Sequence, residues 1–146
     1  MKYLLWLLLS GGIIQTSNEH MLFEQLQQRM PGNICSDTKV HDNDKQAKGR
    51  ITFLNRDFRT AYFAAATSVR FFECEDRRLH LAMISLEFKN EQDMDLAMAA
   101  ITASRRTAFR LPNKTRFAPK KLGNELVIIY SQTFTDQRFQ DFVNRN

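Results

Sequence analysis

Cys74 stands in the stretch RFFECEDRRLHLAMISLEF, between Glu73 and Glu75, with Asp76 next and His80 close behind. A cysteine in such company is a nucleophile with a nearby histidine, a metal ligand, or half of a disulfide. Nucleophilic work needs the thiolate, and positive neighbours favour it. Here Glu73, Glu75 and Asp76 push the other way, and Arg77 and Arg78 only oppose them. A Cys–His pair with His41 or His80 is therefore the weaker reading. Zinc is weaker still, because the chain has no C-x-x-C and no H-x-x-x-H spacing. With two cysteines only one intramolecular pairing exists, Cys35–Cys74. In an oxidising compartment that bridge is the expectation, and closing a loop of this length stabilises by at most roughly 4 kcal/mol.

The compartment is read from the N-terminus, MKYLLWLLLSGGIIQTSNEH. Lys2 supplies a short positive region, and Tyr3 to Leu9 is an unbroken apolar run, extended by Ile13 and Ile14. That is the length of an export signal's apolar region and too short for a membrane span of about 20 residues. The reading is a cleaved signal peptide over 1–17, its cut site open, and a single domain over 18–146 that is periplasmic or secreted. No transmembrane span is expected after signal removal.

Other constellations are thin. Asp37, Asp42, Asn43 and Asp44 invite a calcium reading, but alternating oxygen ligands followed by Gly and a distal Glu are missing. A serine elbow, an H-E-x-x-H and a Gly-rich phosphate loop are also missing. No cofactor, no metal site and no catalytic residue is assigned. The balance leans away from an enzyme, although acid–base partners can converge from distant positions.

Charge carries more. The net charge is +5, which directs attention to anionic partners. From Leu96 to Asn124 there is no Asp or Glu, while Arg105, Arg106, Arg110, Lys114, Arg116, Lys120 and Lys121 all fall there. Phe109 and Phe117 are interleaved and are read as core anchors. The bland explanation is a sheet edge protected by charge against strand pairing. The functional one is an anion-facing surface for an envelope component or another exported protein, with no specific nucleic acid expected.

The elements that must position these residues follow from periodicity. Thr16 to Gly32 reads as a helix with Leu22, Phe23, Leu26 and Met30 on one face, stopped by Pro31-Gly32. Asn33 to Gly49 reads as a long polar loop, and Arg50 to Leu54 as a short strand. Asp57 to Ala66 is expected to be a helix that hands over to a strand. Leu79 to Phe88 is a strand with Leu81, Met83 and Ser85 on one side, and His80, Ala82, Ile84, Leu86 and Phe88 on the other. Asn90 caps a helix whose stripe is Met94, Ala97, Met98 and Ile101. Thr107 to Leu111 reads as a strand, Lys114 to Asn124 as a connector or edge strand, and Glu125 to Ser131 as a central strand. Thr135 opens a last helix with Phe139, Phe142 and Val143 inward. At 43% apolar and 25% charged residues, the composition is that of an ordinary globular domain.

The predicted fold class is α+β, with an antiparallel or mixed sheet and helices packed mainly on one face. The order of elements resembles a ferredoxin-like layout, and no motif carries that resemblance further. Three classes of function stay open. The leading one is a small exported non-catalytic binding protein that uses the basic segment 96–124. The alternative is a periplasmic inhibitor or immunity protein that blocks a partner enzyme, with Asp37–Asp44 and Glu73–Asp76 as its acidic plug. The third is an enzyme or ligand carrier with a pocket between sheet and helices. Neither partner nor oligomeric state is legible.

Overall fold

The computed structural model describes residues 18–29, 38–76, 79–107, 116–131 and 145. Their order is α1 (Asn18–Arg29), β1 (Lys39–Asp42), α2 (Lys45–Asp57), a short 3-10 turn (Tyr62–Ala65), β2 (Ala66–Asp76), β3 (Leu79–Phe88), α3 (Glu91–Thr107), β4 (Arg116–Leu122) and β5 (Glu125–Ser131). The five strands form one sheet in the order β1-β2-β3-β5-β4. Every neighbouring pair is antiparallel. Three helices pack against it, so the α+β class holds.

β2 and β3 pair antiparallel, with Phe71 opposite Ile84 and Cys74 opposite Leu81. Side chains alternate across a strand, and here both faces are apolar. Val69, Phe71, Ala82, Ile84, Leu86, Leu126, Ile128 and Tyr130 make one core with Ala47 and Leu54 of α2 and Met94, Ala97 and Ile101 of α3. Phe72, Cys74, Leu81, Met83, Val127 and Ile129 make a second core, covered by Leu22, Phe23 and Leu26 of α1. The strand faces read from Leu79 to Phe88 and the stripes read on α1 and α3 are the ones buried.

The ferredoxin-like layout is not found. That layout places another strand between strands joined by a helix. β1 and β2, joined by α2, are instead direct antiparallel neighbours. Only β3 and β4, joined through α3, have a strand between them, namely β5.

The stretch from Asn33 to Ala66 differs most from its sequence reading. The loop contains β1 and the start of α2, and Arg50 to Leu54 is helical rather than extended. The signal is Ala47, Ile51, Leu54 and Phe58, an i, i+4, i+7, i+11 stripe that packs on the sheet. Asp44 starts the helix: its Oδ1 accepts the Ala47 backbone N–H at 2.8 Å, the usual service of an N-cap. Asn43 ends β1 in the left-handed region at φ 50°, which Asn tolerates better than most residues. Its side-chain oxygen accepts from the Val69 N–H, while its own N–H donates to the Val69 carbonyl, both at 2.9 Å. Asp57 closes α2 instead of opening a helix, and the handover to strand comes at Ala66.

Cys74 also needs correcting. It is not a polar strand end; it is fully buried in the α1-side core, because alternation points it inward while Glu73 points to the other face. It presents no free thiol for nucleophilic work. The partner expected for it, Cys35, lies outside the described residues, and among those residues no pair of cysteines stands at bonding distance. The expected signal over 1–17 and the last helix from Thr135 lie outside the described residues as well. No helix among the described residues is long and apolar enough to cross a membrane.

Two expectations follow for α2. Leu54 is fully buried, so Leu54→Ala should cost about 2–5 kcal/mol in urea unfolding, whereas the same change in an exposed strand would cost little. The cap bond and the adjacent His41 hold the Asp44 carboxyl below its ordinary value of 3.8. A depressed folded pKa gives stability that is present above the unfolded value and lost as pH falls through the folded one. The stability gap between wild type and Asp44→Ala should therefore be constant from neutral pH down to about 3.8, then close on further acidification.

Candidate functional site

The acid-free segment is distributed over α3, β4 and residues between them. Arg105 and Arg106 fall in the last turn of α3, where positive charge complements the helix dipole. Arg110, Lys114 and Phe109 lie outside the described residues. Arg116 begins β4, opposite Ser131. β4 is the edge strand expected from sequence, and Pro119 sits in its middle, at a place where only an edge tolerates a missing N–H. Phe117 anchors to the core as expected, 5.5 Å from Tyr130 and 5.0 Å from Phe58 between ring centroids.

The two lysines of β4 differ. Lys121 donates to Asp95 of α3 and lies 3.7 Å from Glu91. That hydrogen bond raises its pKa. Lys121 is thus a tie between helix and edge strand, neutralised by acids just before the acid-free stretch. Lys120 points to the opposite face by alternation and has no ion-pair partner among the described residues. The basic set loses one member and keeps the other.

On the face that α2 and α3 cover, β1, β2, β5 and α2 bring together a polar group that sequence reasoning missed. The Arg50 guanidinium carbon lies 3.9 Å from the centroid of the buried Phe71 ring, and His41 stacks on the same ring at 5.9 Å and 18°. His41 Nδ1 is 2.8 Å from Asp44 Oδ2. Glu73 and Tyr130 share a row, each opposite Ala82 on its two sides. Burial pushes the Tyr130 phenol up to about 12; Arg50 draws it down and Glu73 adds to the rise. Such a phenol is a hydrogen-bond donor at any physiological pH, never a base. The depression beside it, lined by Lys45, Gln46, Gly49 and Arg50, lies along one helix surface, and no acid–base pair faces into it.

The acids weighed for calcium have other partners. Asp44 caps α2, Asn43 extends the β1–β2 pairing, and Asp42 accepts from Asn43 and lies 3.8 Å from Arg70. Asp37 lies outside the described residues. Among the described residues no group of three His, Cys, Asp or Glu could hold a metal ion. Dispersal works equally against an acidic plug, since Glu73 turns toward the α2 side while Asp42 and Asp44 serve the β1–α2 turn. His80 lies on β3 opposite Glu75.

α2 itself is the other unforeseen feature. Lys45, Lys48, Arg50 and Arg56 lie along it, and its first turn holds no acid. Positive charge at a helix start opposes the macrodipole. Gly49 sits in the helix interior, where glycine costs about 1 kcal/mol relative to alanine, yet an added Cβ would meet nothing within 4 Å. The helical stripe described above was the signal that would have placed Lys45, Lys48, Gly49 and Arg56 on the exposed side of the helix and Arg50 beside the sheet.

No family model, no curated protein and no solved structure matches the chain.

An alkaline absorbance titration checks the Tyr130 environment. The chain has three tyrosines, and one of them should titrate late, near 12, in the folded protein. Tyr130→Phe should remove that step alone. A raised folded pKa gives stability that is complete below the unfolded value of 10.0 and lost as pH rises through the folded one.

Proposed function

We propose that the protein is a non-catalytic binding protein that engages an anionic partner through the segment 96–124. The observation that carries the reading is the charge pattern: Arg105, Arg106, Arg110, Lys114, Arg116, Lys120 and Lys121 without one acid from Leu96 to Asn124. The tie of Lys121 to Asp95 narrows the binding set to the other six. It also supplies rigidity, since it fastens the edge strand to α3. Pro119 favours contact through side chains over addition of a partner strand, because it interrupts the outer row of donors. A sulfated polymer or an acidic protein surface supplies the required chemistry.

Retention on a sulfated-polymer column tests this. Replacing Arg105, Arg106, Arg110, Lys114 and Lys120 together by Ser should weaken retention severalfold at low salt, with the gap shrinking as ionic strength passes physiological. Lys121→Ser should leave retention near wild type and lower the melting temperature. Equal retention of the five-site variant and wild type at low salt would reduce the segment to a solvated sheet edge.

A further inference from the structure

The exposed ridge of α2 is a surface of its own, built from residues outside the segment 96–124. Ala47, Ile51, Leu54 and Phe58 point to the sheet. Helical spacing then puts Lys45, Gly49, Thr52 and Arg56 in a row along the opposite side, with Lys48 beside it; all five are exposed. From Lys45 to Arg59 there are five cations and one acid, Asp57. Asp57 lies 3.2 Å from the Arg56 Nε. Lys45, Lys48 and Arg59 have no ion-pair partner among the described residues. Asp44, the nearest acid upstream, is committed to the helix cap and to His41.

Two features of the ridge work against the folded chain in isolation. Lys45 and Lys48 sit in the first turns, where the dipole disfavours them. Gly49 weakens the helix although a side chain there would meet nothing. Packing within the protein explains neither. An anion that approaches the helix backbone closely explains both: the cations are compensated on binding, and the missing side chain is the clearance.

From this we infer that the outer ridge of α2 binds the phosphodiester backbone of a duplex nucleic acid, without reading its sequence. Lysine, arginine and a threonine hydroxyl are the groups that contact backbone phosphates. They recur at about one per helical turn of 5.4 Å, which suits a linear, regularly charged polymer better than a single small anion. The ridge carries no aromatic side chain on which unpaired bases could stack, so a duplex is its target in preference to a single strand. Arg50 does not belong to the ridge, because its guanidinium is held over Phe71.

The test is fluorescence anisotropy of a labelled random-sequence DNA duplex at low salt, with the full chain and variants whose folding is verified by circular dichroism. Lys45→Ser/Lys48→Ser/Arg56→Ser should weaken binding by about tenfold or more and flatten the logarithmic salt dependence by roughly 2–3. Gly49→Gln should unfold at the same or a higher temperature than wild type and bind the duplex severalfold more weakly. The five-site variant of segment 96–124 should weaken duplex binding less than the α2 triple variant does, which separates failure of this surface from failure of that one. Unchanged affinity in the triple variant, unchanged affinity in Gly49→Gln, or binding lost only in the segment variant would each overturn the inference. So would tighter binding of wild type to anionic phospholipid vesicles than to the duplex.

Discussion

A strand that is apolar on both faces cannot lie against water on either, and β3 is such a strand. Leu81, Ala82, Met83, Ile84 and Leu86 are all fully buried in succession. Burying side chains of this size is worth about 1.5–3 kcal/mol each relative to exposure, so both sides of the sheet must be covered. α2 and α3 close one side and α1 the other. β2 and β5, which flank β3, are apolar on both faces for the same reason. Exposed side chains gather at the edge strands, in Lys39, Val40 and Asp42 of β1 and Lys121 of β4.

That constraint is also what made part of the fold legible from sequence. The alternation in Leu79 to Phe88 and the apolar run Leu126 to Tyr130 have only one sensible conformation, and the faces assigned to them are the buried ones. α3 was legible because Asn90 and the stripe Met94, Ala97, Ile101 agree; the Asn90 side chain accepts the Asp93 N–H at 2.9 Å. The region around α2 was not legible, because two signals conflicted. Its apolar stripe is interrupted by Lys48, Gly49 and Arg50, and its cap stands among four polar residues from Asp42 to Lys45, which read as loop. β-branched Ile51 and Thr52 beside Phe53 then suggest a strand. Tertiary burial of Ala47 and Leu54, which local propensity does not contain, decides for the helix.

The candidate sites divide along the same line. The basic segment was visible because charge composition needs no fold. Its internal distinction was invisible: Lys120 and Lys121 are adjacent in sequence, yet alternation and the position of α3 put Lys121 against Asp95 and leave Lys120 on the other face. The group around Phe71 is the opposite case, since His41, Arg50, Glu73 and Tyr130 come from four separate elements and only the sheet register brings them together. Their arrangement is accounted for by the covering of a buried aromatic ring and a buried phenol.

Orientation of α1 poses a separate question, because apolar packing by Leu22, Phe23 and Leu26 is not directional. Glu19, only 2% exposed, supplies the direction. Its carboxylate meets the Arg70 guanidinium on β2, and Arg70 in turn reaches toward Asp42 on β1. Farther along the helix, the Gln27 amide donates to the Thr38 hydroxyl at 2.7 Å, and the His20 ring meets Phe72 edge-on at 5.8 Å. A buried ion pair adds little net stability against an apolar replacement of equal shape, but loss of one partner leaves a costly buried charge. Sliding α1 by one turn would keep most of its apolar contact and strand Glu19 without its cation. The polar pair therefore penalises the alternatives that the apolar face would tolerate, and α1 covers the sheet in one register.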